Sequence, residues 1–326
     1  WGDKWNKKWG VGPEIFTPAN AASFGEYLGQ RYKEKPVIWI LGGDRSPETD
    51  RHREIIRAFA KGLRKGDGGN HLITYHPQGA HNSATWFHSD EWLDFNMIQS
   101  GHAAPNLPNF EVIQKNYSLT PTKPTLDGEP RYEDHPINWK PAEGWFDDWD
   151  VRQATYWSLL AGACGHTYGN HDIWQFWQSD RKPISSARTP WRKAIDQPGA
   201  FQVGYARQLF ESRPYQKLAP APAALVDDPG QGAAHIQSAL AEDGSFMFVY
   251  TPMGQPFSIK MGMFPGSRVN AFWFDPRTGA STSIGLFPTL GVRKFEPSSS
   301  GRGNDWILVL DDASKSFPKP GESQKK

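Results

Sequence analysis

Two carboxylates in this chain stand where a carboxylate can do chemistry. Asp44 follows the apolar run Pro36-Val37-Ile38-Trp39-Ile40-Leu41-Gly42-Gly43, with Arg45 behind it, and Glu129 closes Pro124-Thr125-Leu126-Asp127-Gly128-Glu129-Pro130. An apolar run without alternation reads as a strand buried on both faces, the habit of parallel strands, and in α/β folds the ligand meets the carboxyl ends of such strands. Glycines there let the backbone turn sharply, Gly128 leaves room beneath the carboxylate, and Pro130 sets the turn. Two carboxylates brought to one mouth from different strands can divide glycosidic cleavage. A protonated one donates to the leaving oxygen, and an ionised one attacks or activates water. The structural alternative for Asp44 is a helix cap or a local pair with Arg45. Arg45 in turn either holds Asp44 or clamps an acidic sugar. Asp127 shares the neighbourhood of Glu129 on the strand and is its closest rival.

Further polar groups recur at strand ends: His76, Gln99 with His102, and Tyr168 with His171. Each is a candidate hydroxyl ligand for a substrate, with a satisfied loop residue as the alternative. His166 and His171 lack the matching carboxylate or cysteine spacing of a zinc site, so no metal and no other cofactor is expected. Asp147, Asp148 and Asp150 read as the cap and dipole partners of the helix that follows. The single Cys164 excludes an intrachain disulfide and reads as a buried structural thiol.

The elements that must position these groups alternate. Helical spacing predicts helices over 19–33, 51–65, 108–118, 149–164 and 200–213, and strands over 37–44, 72–77, 93–100, 124–130 and 166–171. Alternation of this kind implies parallel βαβ units and, with polar residues at the strand ends, a (β/α)8 TIM barrel. Only about five strands can be counted against the eight of a closed barrel, so the reading is a barrel lacking about its first three strands. The segment beginning at Trp1 reads as a loop in the middle of a protein. Residues 1–213 form this partial catalytic domain, and 214–229, rich in Pro and Ala, a linker. Short runs at 245–250, 257–261, 269–274 and 306–310 make 230–312 a small all-β sandwich. The tail 313–326 reads as disordered. A barrel with open edges is expected to aggregate or stay partly unfolded when expressed alone.

Composition narrows the partners. A formal charge of +1 argues for neither nucleic acid nor an anionic membrane surface, and no stretch has the length of a membrane span. Fifteen Trp, ten Tyr and nineteen Phe in a chain of mean hydropathy −0.65 suit stacking on the C–H faces of sugars. All the tryptophans except Trp273 and Trp306 precede residue 192, which assigns that load to the first domain.

Three motifs carry a resemblance: Trp39-Ile40-Leu41-Gly42-Gly43-Asp44-Arg45; Pro124-Thr125-Leu126-Asp127-Gly128-Glu129-Pro130-Arg131-Tyr132-Glu133; and Arg152-Gln153-Ala154-Thr155-Tyr156-Trp157 leading to Gly165-His166-Thr167-Tyr168-Gly169. Residues 1 to about 212 resemble the apiosidase-like catalytic domain, glycoside hydrolase family 140, entered part-way through. The β domain is similar to the collagen-binding type that follows this barrel. The resemblance implies Asp44 as general acid/base, Glu129 as nucleophile, and retaining cleavage of apiose-linked side chains of plant pectin (rhamnogalacturonan II). It implies a plant cell-wall glycan as partner and an extracytoplasmic location, with the signal peptide in the missing amino-terminal region. If three strands are missing, the two carboxylates sit on strands 4 and 7, as in the large clan of retaining glycosidases. A retaining pair is expected roughly 5 to 6 Å apart, with the pKa of Asp44 above that of Glu129. The alternative function is a non-catalytic glycan-binding or adhesion protein on a degenerate barrel. Oligomeric state is left open.

Overall fold

The computed structural model of the chain describes residues 4–8 and 12–322. The chain forms two compact units, Trp1–Gly101 with Lys115–Glu129, and His102–Gln114 with Pro130–Lys326.

In the first unit, α1 (Pro18–Tyr32) is capped by the Thr17 hydroxyl and leads to β1 (Trp39–Gly42). Next come α2 (Asp50–Asp67), β2 (Ile73–His76), the short β3 (His81–Asn82) and α3 (Ala84–Phe87). β4 (Asn96–Gln99) follows, then β5 (Thr125–Asp127); along the chain between them lies α4 (Asn109–Tyr117), most of whose residues belong to the second unit. β1 runs parallel to β2 with Gly42 opposite His76, and β4 runs parallel to β5 with Ile98 opposite Asp127. The approach to β4 bonds to β2, the Asp94 N–H donating to the Ile73 carbonyl and the Thr74 hydroxyl to the Phe95 carbonyl. Four strands thus lie side by side in chain order.

Their support is a helix pair in backbone contact. A Cβ on Gly62 would lie 2.2 Å from the Ala22 carbonyl oxygen, and one on Gly66 the same distance from that of Glu26, so these helical glycines are required by packing. Ile55, Ile56, Phe59 and Leu63 of α2 then enter one core with Leu41, Ile73 and Tyr75. One expectation fails here. β1 is buried on one face only, because Ile38 and Ile40 are about half exposed while Leu41 lies in the core. Among the described residues β1 pairs along a single edge.

The second unit contains α5 (Asp148–Leu160), β6 (Gly165–His166), α6 (His171–Trp174), α7 (Trp191–Ala194) and α8 (Pro198–Glu211). The strands β7 (Leu218–Pro220), β8 (Gln237–Ala241), β9 (Phe246–Thr251) and β10 (Phe257–Lys260) come next. The last are β11 (Arg268–Phe274), β12 (Ser281–Pro288), β13 (Val292–Phe295) and β14 (Trp306–Asp312). Six of these form a sheet in the order β12-β11-β14-β9-β8-β7, and β10 pairs with β13. Met247 and Val249 share a core with Phe257, Ile259 and Phe295 of the two-stranded layer. Phe248 packs on Phe210 of α8 and Tyr250 stacks on Tyr156 of α5, so β9 is buried on both faces.

Three corrections follow. Residues 214–229 are no free linker: β7 is an edge strand of the sheet, and Ala221, Ala224 and Leu225 enter the core. The tail is packed as far as the described residues reach. Phe317 lies against Phe246, and the Ser281 hydroxyl donates to the Pro320 carbonyl. Cys164 is exposed, because it falls in the turn after α5 rather than inside the helix. Trp1–Asp3, in the segment read as a loop, and residues 323–326 of the tail lie outside the described residues.

Buried ion pairs fasten α5 and α8 to the sheet. The Arg152 guanidinium meets both oxygens of Asp305 at 2.8 and 2.9 Å, and Arg213 pairs with Asp311. Arg302, half exposed, reaches Asp147 and Asp150 at the start of α5, where Asp147 is indeed the cap. Removing one partner of a buried pair strands the other charge, at a cost of about 3–5 kcal/mol, whereas an exposed pair is worth about 0–1 kcal/mol. Asp305→Ala is therefore expected to lower unfolding free energy by roughly 3–5 kcal/mol and Lys217→Ala, which opens the exposed pair with Asp243, by about 1 kcal/mol or less, read by urea denaturation. Equal losses in the two variants would show that the Arg152 pair is not the main fastening.

Candidate active site

From the last residue of β1 three successive residues have positive φ, Gly42 (φ 90°), Gly43 (φ 87°) and Asp44 (φ 58°). A Cβ at Gly42 would stand 2.4 Å from the His76 carbonyl oxygen, so only glycine permits this approach of β1 to β2. The turn is then held by its carbonyls. Trp5 donates its indole N–H to Gly42 O, Tyr75 its hydroxyl to Arg45 O, and Asn6 its amide to Ser46 O. Arg45 Nη1 donates to the Asp44 carbonyl at 2.8 Å and stands 3.9 Å from the carboxylate. Arg45 thus braces the backbone of Asp44 more closely than it pairs with its charge. Trp5 and Asn6 come from an amino-terminal stretch with no periodicity, and nothing in their spacing marked them as supports of this turn.

His76 connects the two carboxylates. Its Nε2 lies 2.9 Å from Glu129 Oε2, and its Nδ1 lies 3.3 Å from the Asp44 backbone nitrogen and 2.9 Å from the Pro77 carbonyl. Because Nε2 faces a carboxylate, it carries a proton in either charge state. Nδ1 accepts from the Asp44 N–H when the ring is neutral and donates to Pro77 O when it is cationic. Burial pushes the imidazole pKa down, but the hydrogen bond and charge of Glu129, with Asp44 and Pro77 O, outweigh it and leave the pKa raised. Glu129 follows β5, where the missing Cβ of Gly128 makes room for the Met97 side chain. Asp127 is fully buried and accepts from the Ser100 hydroxyl at 3.0 and 3.1 Å, which makes it a fastening between β5 and the end of β4.

Burial raises the pKa of Asp44, and the like charge of Glu129 adds to it, against smaller opposing effects of His76, a Gln99 hydrogen bond and Arg45. Among the described residues Asp44 Oδ1 and Gln99 Oε1 are buried with no hydrogen-bond partner. The first unit therefore brings together Asp44, Arg45, His76, Gln99 and Glu129.

His102, Tyr168 and His171 belong to the second unit. The Tyr168 hydroxyl donates to Glu133 Oε2 at 2.6 Å, and Glu133 also accepts from the Gly199 N–H, so both are structural ties. His102 stacks on His135 with ring centroids 4.2 Å apart, and His135 meets His171 at 4.4 Å. His171 Nε2 lies within 3.2 Å of the Ile184 and Ser185 carbonyls, while Nδ1 accepts from the Trp174 indole. Both its nitrogens are thus engaged inside the protein. His135 was not among the sequence candidates, being one of several residues in an irregular loop rich in Pro, His and Trp. No group of three His, Cys, Asp or Glu suited to a metal occurs among the described residues.

Parallel strands with two carboxylates at their carboxyl ends and a C-terminal β domain define a glycoside hydrolase type of chain, and similarity bears on this directly. A structure described as a glycoside hydrolase is 32% identical, with a TM-score of 0.88 over 93% of this chain and 71% of that one. A glycoside hydrolase family 5 structure from Bacteroides vulgatus ATCC 8482 is 31% identical, with a TM-score of 0.88 over 95% of this chain and 70% of that one. The family model "Apiosidase-like, catalytic domain" matches residues 1–217, and "Putative collagen-binding domain of a collagenase" matches 219–311. The chain belongs to the apiosidase-like family and is a glycosidase. Among proteins of curated function, none matches. No helix among the described residues is long and apolar enough to cross a membrane.

The raised pKa of Asp44 has a consequence for stability. A carboxyl whose folded pKa exceeds its unfolded value contributes stability that is present below the unfolded pKa and lost as pH rises through the folded one. Asp44→Asn removes that loss, and Asn tolerates left-handed backbone. Its melting temperature is expected to exceed that of the parent at pH 7, with the difference closing toward about pH 4. A difference independent of pH would contradict the shifted carboxyl.

Proposed function

We propose that the chain is the catalytic part of a retaining glycosidase of (β/α)8 architecture that removes apiose-linked side chains from plant pectin outside the cytoplasm. The observation that carries the chemistry is the His76 bridge, which ties Glu129 to the backbone of Asp44 within one unit. Glu129, held by the Nε2–H donor, attacks the anomeric carbon as the bond to the leaving oxygen breaks. Asp44, whose burial favours the protonated form, gives its proton to that oxygen. Asp44, now ionised, takes a proton from water, which displaces Glu129 from the sugar with net retention. The family match supports apiose as the sugar.

The test uses apiose-containing pectin oligosaccharides. Glu129→Gln and Asp44→Asn are each expected to abolish release of sugar, and a 2-fluoro glycoside to label Glu129 in the parent, seen by peptide mass spectrometry. His76→Asn, losing a hydrogen bond to a charged group, is expected to cost about 10- to 100-fold in kcat/KM. Inversion of product configuration by proton NMR, or glycan binding without turnover, would sink this reading.

A further inference from the structure

The second unit exposes two aromatic rings at backbone positions that work against exposure by chance. Trp139 is 48% exposed and Phe176 57%, and both adopt left-handed backbone, with φ of 58° and 47°. Bulky residues rarely occupy that region, and the strain costs about 1–3 kcal/mol per residue unless the surroundings enforce it. A chain shaped for folding alone would place Gly or Asn there, as it does at Asn138 (φ 52°).

The surroundings do enforce it. The Asn138 N–H donates to the His102 carbonyl at 2.8 Å, the Trp139 N–H to Pro136 O, and the Ile137 N–H to Gly144 O. The Trp139 indole stands edge-to-face on His135 and His102, with centroids 5.4 and 5.8 Å apart. Through His135 the cluster continues to His171 and then to Trp174, which is 50% exposed and donates its indole N–H to His171 Nδ1. The Phe176 N–H donates to Ile173 O, and its ring meets Trp191 edge-on. Three buried imidazoles thus fix the orientation of two half-exposed indoles.

We infer that Trp139 and Trp174 form a carbohydrate-stacking surface that holds sugar rings of a pectin-derived oligosaccharide. Flat apolar faces backed by a rigid polar cluster match a pyranose, whose C–H faces are apolar and whose rim is polar. His102, His135 and His171 are positioning residues here, since they act through the indoles. The inference rests on the glycosidase reading for its ligand class, and on the backbone strain for its location.

The experiment uses the full chain carrying Glu129→Gln, so that ligand is not consumed, with soluble pectin-derived oligosaccharides in calorimetry and affinity electrophoresis. Trp139→Asn keeps a residue suited to the left-handed backbone and removes the ring, and Trp174→Ala removes the second indole. Each is expected to weaken oligosaccharide binding about ten-fold while Trp139→Phe retains most of it. Val292→Ala, an exposed position in the β domain, is expected to change nothing. In the active protein the same ring deletions are expected to leave kcat/KM on a small aryl glycoside unchanged. Unchanged affinity in both ring deletions overturns the surface, as does a parent that hydrolyses the aryl glycoside yet binds no oligosaccharide. A parent that hydrolyses nothing but loses binding on ring deletion supports the surface and removes the glycosidase reading instead. Should Trp139→Asn fail to fold, the contrast between Trp139→Phe and Trp174→Ala decides.

Discussion

The constraint on which the candidate site depends is the approach of Gly42 to the backbone carbonyl of His76. A side chain at residue 42 cannot exist at this separation, so β1 and β2 meet in one register and the chain must leave β1 through left-handed backbone. Everything chemical in the first unit inherits that geometry. Asp44 ends the turn and His76 sits opposite its start. Glu129 is reached through the imidazole of His76 at 2.9 Å. The turn is costly for Asp44, and the surrounding donors meet that cost by satisfying the carbonyls of Gly42, Asp44, Arg45 and Ser46. The Asp44 side chain remains 39% exposed, so its burial is partial, and that partial desolvation with the like charge of Glu129 raises its pKa.

The second unit solves a different problem. α5 is buried on almost every side, yet it carries Asp150, Arg152, Gln153, Thr155 and Ser158. A helix in this position can be polar only if each group finds a partner. Arg152 spans Asp148, Gln202 and Asp305, Gln153 accepts from Arg131, and Thr155 donates to the Val151 carbonyl. Such pairs add little net stability over an apolar core of the same shape, but their geometry admits one register of α5 on β14. Apolar packing on the same sheet, Tyr156 on Tyr250 and Phe210 on Phe248, supplies the attraction that the ion pairs orient.

Sequence alone determined the places of β1, β2, β4 and β5 and of the longer helices, because apolar periodicity and glycine or proline punctuation are local properties; the strand expected over 166–171 is instead the two-residue β6, with α6 starting at His171. It also made Asp44 and Glu129 candidates, since each stands at the carboxyl end of an expected strand, but it left the cap and the local pair open for Asp44. The glycines of α1 and α2 had no such signal. In sequence they weaken a helix, and only the facing backbone at 2.2 Å shows what they are for. Residues 214–229 and the tail read as loose because Pro, Ala, Lys and Ser predict nothing by themselves, but β8 offers an edge to β7 and Phe246 a surface to Phe317. Burial of β1 was read from its own composition, while exposure of Ile38 and Ile40 depends on which strands and helices lie beside it. The roles of His76, Trp5, His135 and Trp139 were likewise decided only in three dimensions. A hydrogen bond between residues 53 positions apart, or an indole standing on imidazoles from other segments, leaves no trace in the spacing of neighbours along the chain.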